Sequence, residues 1–579
     1  MTMAAILEPG PRPDRHERRR NFCSAFSLWS FRMRYWRRVA PLAAVGVALA
    51  VALGVASCGG SKKKTATSPT PSVSATSAAP ATPHRSVPLT TMFEDPKQLS
   101  TNPAATLDTL RALGVNTVRI YMAWAPLAPD PKSKSAPAGF DPTSPAAYPA
   151  AGWQPYDAIV QAAAARGIGV MLTPQGPPPL WAAGPGAPAG TPGGGADWRP
   201  SASAFESFMR ALATRYSGSY SPPGASSPLP RVKQWSIWNE PNYGPTLAPQ
   251  AIDNSTVEAS PAIYRGLVDA AWTALHATGH GHDTILIGEL APRGITGPNY
   301  PGNFSGMVPL RFLRALYCVD GSLHKLQGAA ATARGCPATA AASQSFAQDH
   351  PALFESTGVA LHPYPQGALA PPVVTPGQPD YADLAALPKA ESLIDHLTGA
   401  YGSRKQLPIY NTEFGYKTNP PYAAGAPMGK AALYLNWAEY LSWRDPRVRS
   451  WNQYLLVDPP PAQSHFVTGL EFVNGTPKPI YDPWKLPLYL PQTSGPRGTP
   501  LEVWGCARPV LFAHGGDHVA IQFRAGAGAF KTVKTVKVKP SDCYFDVPVS
   551  FPSSGTVQLS WSGSGQTGIR SRPVQIHLS

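Results

Sequence analysis

Cysteine is scarce in this sequence, with six in 579 residues, and only 14% of the residues are charged. No two cysteines have the C-x-x-C spacing of zinc or thioredoxin-like sites, which excludes those chemistries, and we expect neither a metal nor a cofactor. Cys23 and Cys58 lie near the N-terminus. Outside the cytosol the other four could form two local disulfides: Cys318 with Cys336, and Cys506 with Cys543.

Acidic residues are the scarcer charged class, 34 against 49 Lys and Arg, and the formal net charge is +15. This excess is uneven, because residues 1–64 carry a net +9 and the other 515 residues only +6. The sequence has no basic stretch interleaved with aromatic residues, so we expect no nucleic-acid partner. A basic tail beside an apolar run predicts a membrane-inserted N-terminus instead.

Charge is absent from Val39 to Ser57, an apolar run of 19 residues that is long enough to span a bilayer. The Arg-rich segment before it predicts that the N-terminus stays inside and that the chain beyond the run is exported. The run ends at Cys58, in a motif that resembles a bacterial lipobox. We therefore predict a signal or anchor over residues 1–58, with Cys58 either lipidated or ending an uncleaved transmembrane helix.

Residues 59–86 contain almost nothing apolar and are predicted to form a disordered Ser/Thr/Pro/Ala linker. The remaining chain is then expected at the extracellular face of the cell membrane, or secreted. From residue 87, short β-rich runs alternate with longer helical patterns, which is typical of a parallel α/β sheet. Eight such units predict a (β/α)8 TIM barrel over residues 87–490. Over residues 491–579 only short strands and Gly, Ser and Pro turns remain, which predicts a small β-sandwich.

Three of the predicted barrel strands end in a carboxylate, and two of these carboxylates form the candidate catalytic pair. One strand stops at Glu240, because Pro241 cannot donate to a sheet ladder. A second, over residues 407–415, delivers Glu413 near its end. The carboxyl ends of parallel barrel strands meet at one face, where a two-carboxylate glycosidase needs its acid and its nucleophile.

The motif Trp-Asn-Glu-Pro, followed about 170 residues later by Tyr-Asn-Thr-Glu-Phe-Gly, resembles the clan A retaining glycoside hydrolases, of the cellulase-like or family 39-like kind. This resemblance implies that Glu240 is the acid/base and that Glu413 is the nucleophile. It also implies that Asn239 contacts the 2-hydroxyl group of the substrate.

The resemblance extends to two further strand ends. Gly-Val-Asn-Thr-Val-Arg-Ile in strand two implies that Arg119 supports the nucleophile, and Trp124 lies after it at the barrel mouth. His-Pro-Tyr after strand six implies that His362 and Tyr364 join the site. The Tyr364 hydroxyl would donate a hydrogen bond to the nucleophile.

Other residues are candidates for binding the substrate. Clan members often carry a Trp platform at strand eight, and Trp451 or Tyr454 could serve, depending on which way each faces. Glu289 ends strand five and is predicted as a subsite or supporting residue. Long loops predicted at the same face contain tryptophans that either stack on sugars or pin the loops: Trp153, Trp181 and Trp198.

Together these features predict a retaining glycoside hydrolase that acts by double displacement on oligo- or polysaccharides, with β-linkages favoured. Mannanase, glucanase and xylosidase activities all fit such a barrel. The alternative is a non-catalytic cell-surface protein that binds glycans on the same scaffold. A metal-dependent deacetylase is disfavoured, because the sequence lacks a matching His/Asp ligand set.

Overall fold

The computed structural model describes residue 85 and residues 87–513, 516–563 and 566–579. The predicted membrane segment Val39–Ser57, the predicted lipidation residue Cys58 and all of the predicted linker except Arg85 lie outside the described residues. Within the described part, no helix is both long and apolar enough to cross a membrane.

Eight parallel strands close into a barrel, which confirms the predicted fold class. Neighbours around the barrel follow the sequence, and the last strand pairs with the first. The strands are β1 (Thr90–Glu94), β2 (Thr117–Ala123), β3 (Gly169–Gln175), β4 (Gln234–Ser236), β5 (Thr284–Leu290), β6 (Gly358–Leu361), β7 (Ile409–Asn411) and β8 (Val448–Tyr454).

Helices surround the barrel, and a large apolar core fills the space between them and the strands. The longer helices are Pro103–Ala112, Ala150–Ala165, Ala202–Arg215, Ser260–Ala277, Pro309–Leu316, Leu387–Gly399 and Met428–Arg444. The shorter ones are Pro96–Thr101, Trp124–Leu127, Gly328–Ala333, Phe346–Asp349, Ala352–Glu355 and Tyr481–Lys485.

The interior of the barrel changes from apolar to polar along the strands. A small buried cluster formed by Met92, Met171, Leu286 and Ala360 fills one layer. Inward side chains recur every second residue along a strand, which defines the next layer toward the carboxyl ends. That layer contains polar groups. The apolar layer therefore closes the barrel beneath a polar mouth.

The C-terminal region consists of two sheets around a second apolar core, as predicted for a β-sandwich. One sheet contains Leu488–Tyr489, Leu501–Cys506 and Tyr544–Val549. The other contains Ser494–Gly495, His518–Arg524, Lys531–Lys537, Gly555–Gly563, Gln566–Arg570 and Val574–Leu578. Both predicted disulfides are confirmed: Cys318–Cys336 and Cys506–Cys543.

A buried ion pair joins the C-terminal region to the barrel. Arg508 is fully buried and donates to Glu439 at 2.8 Å, on the helix Met428–Arg444, while Tyr544 donates to the other Glu439 oxygen at 2.7 Å. Gly114, just before β2, packs directly on the Arg508 backbone, and a Cβ there would lie 2.2 Å from the Arg508 carbonyl oxygen. This junction therefore lies at the starts of the barrel strands, opposite the polar mouth.

The chain enters the barrel at that same face. Besides the carbonyl of nearby Val87, the guanidinium of Arg85 donates to four backbone carbonyls, those of Ser442, Trp443, Asp445 and Val448. Val448 is the first residue of β8. This network fixes the entry point of the chain on the side away from the mouth.

Candidate active site

Four carboxylates gather at the mouth, and two of them are accessible. Glu240 follows β4 and Glu413 follows β7, and one oxygen of each lies within 4.8 Å of the other. Their side chains are 23% and 10% exposed, whereas those of Glu94 and Glu289 are fully buried at 0%. Of these four carboxylates, only Glu240 and Glu413 can therefore reach a substrate.

Donors from two sides of the barrel fix the orientation of Glu413. Its Oε2 accepts from the Tyr121 hydroxyl at 2.6 Å and from Arg119 Nη1 at 3.3 Å. Its Oε1 accepts from the Tyr364 hydroxyl at 2.9 Å. Arg119 and Tyr121 are two residues apart on β2, so they share its inward face. The structure thus brings Arg119 and Tyr364 to the predicted nucleophile.

Glu240 has a different environment. Burial raises the pKa of its carboxyl, and the hydrogen bond from His362 Nδ1 at 3.0 Å only partly opposes that rise. The backbone of Glu240 lies in the left-handed region, with φ of 47°, and its N–H donates to the Glu289 carbonyl at 2.9 Å. Strained backbone of this kind concentrates at functional sites. A raised pKa favours the protonated form that a catalytic acid requires.

His362 links Glu240 to the buried floor of the site, since its Nε2 lies 2.7 Å from Glu289. Burial lowers the pKa of the imidazole, but the charge of Glu413 and the hydrogen bonds to Glu240 and Glu289 outweigh it and raise the pKa to about 10. Glu240, His362 and Glu413 lie close enough together to hold a metal ion. A protonated imidazole has no free lone pair, however, so His362 is a poor ligand at neutral pH.

Arg119 and Glu289 form the floor beneath these residues. Arg119 donates to Glu289 at 2.5 Å and to the Asn239 side-chain oxygen at 2.9 Å. Burial acts to raise the pKa of Glu289, but Arg119 and His362 outweigh it and hold the pKa below its ordinary value. Because Glu289 is fully buried, it supports Arg119 and His362 and does not contact a sugar. This rules out the predicted subsite role in substrate binding and agrees with the alternative, a supporting residue.

Two residues that contact Arg119 were not predicted from the sequence. Tyr121 lies two positions after Arg119, so the alternation of β2 alone could have found it. Glu94 ends β1, in the same strand-end position as the other carboxylates, and it lies 2.5 Å from Arg119 Nη1. Burial raises the pKa of Glu94 to about 8, although Arg119 opposes the rise.

The raised pKa of Glu94 predicts a pH-dependent stability. Its pKa is about 8 in the folded protein against an ordinary 4.5, so its contribution is complete below the ordinary value and is lost as pH rises through the folded value. We expect Glu94→Gln to remove this loss. The free energy of unfolding in urea, measured at about pH 5 and about pH 9, tests it. Glu355→Gln, at an exposed carboxyl, should leave the loss unchanged, and an equal loss in Glu94→Gln contradicts the prediction.

The structure also corrects the predicted roles of Trp124 and Trp451, both of which are 0% exposed. Trp451 packs on Phe414, with ring centroids 4.9 Å apart, and Trp124 stacks on Phe208 of an outer helix at 5.2 Å. Neither ring can present a face to a sugar. Tyr454 lies three residues after Trp451, so it faces the opposite side of β8, toward the carboxylates. Burial and the nearby Glu413 both raise the pKa of Tyr454.

The three tryptophans predicted at the loops each tie a loop to the fold, although Trp153 itself lies in the helix Ala150–Ala165. Their indole N–H groups donate to backbone carbonyls at 3.0 to 3.1 Å: Trp153 to Pro145, Trp181 to Pro129 and Trp198 to Pro185. These bonds favour the loop-pinning role over sugar stacking.

A sequence model of the cellulase family, glycosyl hydrolase family 5, matches residues 82–442. The chain belongs to this family. This family 5 protein is therefore a glycoside hydrolase. No curated protein matches its sequence.

Solved structures of other glycosidases are similar to this family 5 enzyme, at low identity. A family 39 glycoside hydrolase from Bacteroides cellulosilyticus WH2 is 14% identical, with coverage of 80% of this chain and 81% of that chain and a TM-score of 0.42. Fpglu1 from Fervidobacterium pennivoraus is 13% identical, with coverage of 69% and 94% and a TM-score of 0.41. A family 1 β-glucosidase from Thermotoga maritima is 14% identical, with coverage of 62% and 78% and a TM-score of 0.38.

Proposed function

We propose that this glycoside hydrolase cleaves β-linked O-glycosidic bonds in oligo- or polysaccharides with retention of configuration. The observation that carries the proposal is the short separation of the two accessible carboxylates, whose nearest oxygens lie within 4.8 Å. Retaining enzymes hold their carboxyl groups about 5–5.5 Å apart, whereas inverting enzymes need about 6.5–9.5 Å to admit a water molecule.

In this mechanism Glu413 attacks the anomeric carbon while Glu240 gives its proton to the leaving oxygen. The bond from the sugar to the leaving oxygen breaks, and a covalent glycosyl ester forms on Glu413. Glu240 then takes a proton from water, which attacks the anomeric carbon and releases the sugar. Arg119, Tyr121 and Tyr364 hold Glu413 in line for the attack.

The charge of Glu413 helps Glu240 to change roles. After burial, that charge is one of the influences that raise the pKa of Glu240. When Glu413 becomes an ester its charge disappears, and the pKa of Glu240 falls. The same carboxyl therefore acts as an acid in the first step and as a base in the second.

Asn239 is placed to bind the sugar next to the nucleophile. Arg119 holds its side-chain oxygen at 2.9 Å, which leaves the amide N–H₂ to donate. A donor there can bond the 2-hydroxyl group of the substrate, an interaction that strengthens in the transition state.

The anomeric form of the first product tests the proposal. We expect NMR spectra recorded during hydrolysis of a panel of aryl β-glycosides and polysaccharides to show the β-anomer before mutarotation. Early release of the α-anomer contradicts retention. Binding of a sugar without any turnover favours the glycan-binding alternative.

We also propose that the chain is exported and held at the outer face of the membrane by its N-terminal segment. The charge-free run before Cys58 supports this location, as do the two disulfides, which persist mainly outside the cytosol. Cell fractionation tests it: Cys58→Ser should move a lipid-anchored protein into the soluble fraction. Unchanged membrane association of that variant contradicts lipidation and favours the helical anchor.

A further inference from the structure

A partly exposed aromatic group lies beside Tyr364 at the mouth. The Phe466 ring meets Tyr364 edge-on at 5.2 Å and Tyr454 at the same distance. Next to it, the rings of Tyr422 and His465 stack at 5.4 Å. We call Phe466, Tyr422 and His465 the aromatic wall. Rings of this kind, next to a nucleophile, form a surface on which a sugar can lie.

Lys417 lies on this wall, four residues after Glu413. Its ammonium group is 4.7 Å from the Phe466 ring centroid and 5.9 Å from that of Tyr422. The residue is half-buried, and no carboxylate forms an ion pair with it anywhere in the described part of the chain. Its charge is therefore balanced only by ring faces.

A second cation lies beside Tyr364. The guanidinium of Arg293 donates to the carbonyl oxygens of Tyr364 and Pro365. It is half-buried as well, and within the described residues it forms no ion pair. Burial lowers the pKa of Lys417, and Arg293 is near enough to lower it further. Burial lowers the pKa of the Arg293 guanidinium, but Asp383 lies near enough to act in the opposite direction, so this charge is partly balanced. Lys417 has no such partner among the described residues, so its charge is the one available to an anion.

Lys478 is a lysine with only a structural role, and its contacts differ from those of Lys417. It is buried and pairs with Asp458 at 2.6 Å, and it donates to the Thr418 hydroxyl at 2.9 Å. Thr418 comes directly after Lys417, and the Lys417 carbonyl accepts from Ala426 at 2.7 Å. Hydrogen bonds therefore fix the backbone around Lys417, whereas the ammonium group of Lys417 forms no ion pair within the described residues.

We propose that the sugar bound beside Tyr364 carries an anionic group, a carboxylate or a sulfate, and that Lys417 with Arg293 binds it. The inference rests on the proposed glycosidase function of the same site. In the mouth, Arg119 and His362 already pair with Glu289 and Glu413, so these two cations are not available to an anionic sugar, whereas Lys417 on the wall is. Lys417 would then determine specificity without taking part in the chemistry.

Binding of non-hydrolysable probes to the full chain tests the inference separately from turnover. The probes are aryl 1-thio-β-glycosides in the gluco, galacto and manno series, each as the neutral sugar, the uronate and the 6-sulfate. We expect the uronate or the sulfate to bind about tenfold tighter than its neutral counterpart, as one charged hydrogen bond allows. Comparison of the two acidic forms distinguishes carboxylate from sulfate recognition.

Three variants sharpen the test. Lys417→Met should lose about tenfold in affinity for the acidic probe and leave the neutral probe unchanged, which also shows that the variant is folded. Lys417→Arg should retain the preference, and Lys430→Met, at an exposed lysine, should match the wild type. Salt should weaken binding of the acidic probe in the wild type more than in Lys417→Met.

The inference is overturned if no acidic probe binds, if acidic and neutral probes bind equally, or if Lys417→Met keeps the preference. If Lys417→Met loses the preference for the acidic probe but the wild type hydrolyses no glycoside, the inference is supported and the proposed function is rejected. If the wild type hydrolyses neutral glycosides and binds acidic and neutral probes equally, the proposed function is supported and the inference is rejected.

Discussion

Replacement of Glu413 by Ala is expected to lower kcat/KM on an aryl β-glycoside by about 10⁴-fold or more, the range seen when a nucleophile is removed. Without this carboxylate no covalent intermediate can form, and water would have to attack directly from a position that the site does not prepare. Glu240 keeps its hydrogen bond to His362 in this variant, but loss of the Glu413 charge lowers the pKa of Glu240 and makes it a weaker proton donor. Steady-state rates for the two proteins measure the effect.

Two controls make this result specific to the nucleophile. Glu355→Ala removes a carboxyl whose side chain is 63% exposed, and its rate should equal that of the wild type. Azide is a small anion that fits the space of a missing carboxylate. With Glu413→Ala it should restore turnover and give an α-glycosyl azide from a β-glycoside. Wild-type activity in Glu413→Ala would reject the assignment of the nucleophile.

The second large effect is expected at the junction of the barrel and the C-terminal region. Arg508→Met should lower the free energy of unfolding by about 3–5 kcal/mol, because it leaves Glu439 buried without its cation. Both side chains are at most 1% exposed, so solvent cannot replace the lost partner. Denaturation in urea, followed by tryptophan fluorescence, measures the change.

Matched variants separate loss of the pair from loss of the arginine. Arg508→Met combined with Glu439→Gln should recover part of the loss, because no uncompensated charge then remains buried. Arg166→Met breaks the exposed pair with Asp108 and should cost at most about 1 kcal/mol. An Arg508→Met protein as stable as the wild type would show that the two parts do not depend on this ion pair.

The strand-end carboxylates could be predicted because the sequence shows both their residue type and their position at the end of a strand. A short apolar run that stops at Glu240-Pro241, and another that delivers Glu413, identify two ends of parallel strands, which the barrel must bring to one face. Motif resemblance then supplied Arg119, His362 and Tyr364. The structure brings all five residues together.

The side of a strand to which each aromatic side chain points could not be predicted in the same way. Trp451 and Tyr454 are both plausible sugar platforms in the sequence, and the choice depends on the register of β8 with its neighbours. One position of register moves a side chain from the mouth to the outer core. Glu94 was missed for another reason, since its role depends on Arg119, a partner 25 residues away.

The entry point held by Arg85 has a practical consequence. The carbonyls that it binds run from the last turn of the helix Met428–Arg444 to the first residue of β8, whereas Glu240 and Glu413 lie at the opposite ends of their strands. A support or fusion partner joined ahead of residue 85 therefore meets the barrel on the face away from the mouth. Immobilisation of residues 85–579 through this point should leave the mouth open to substrate.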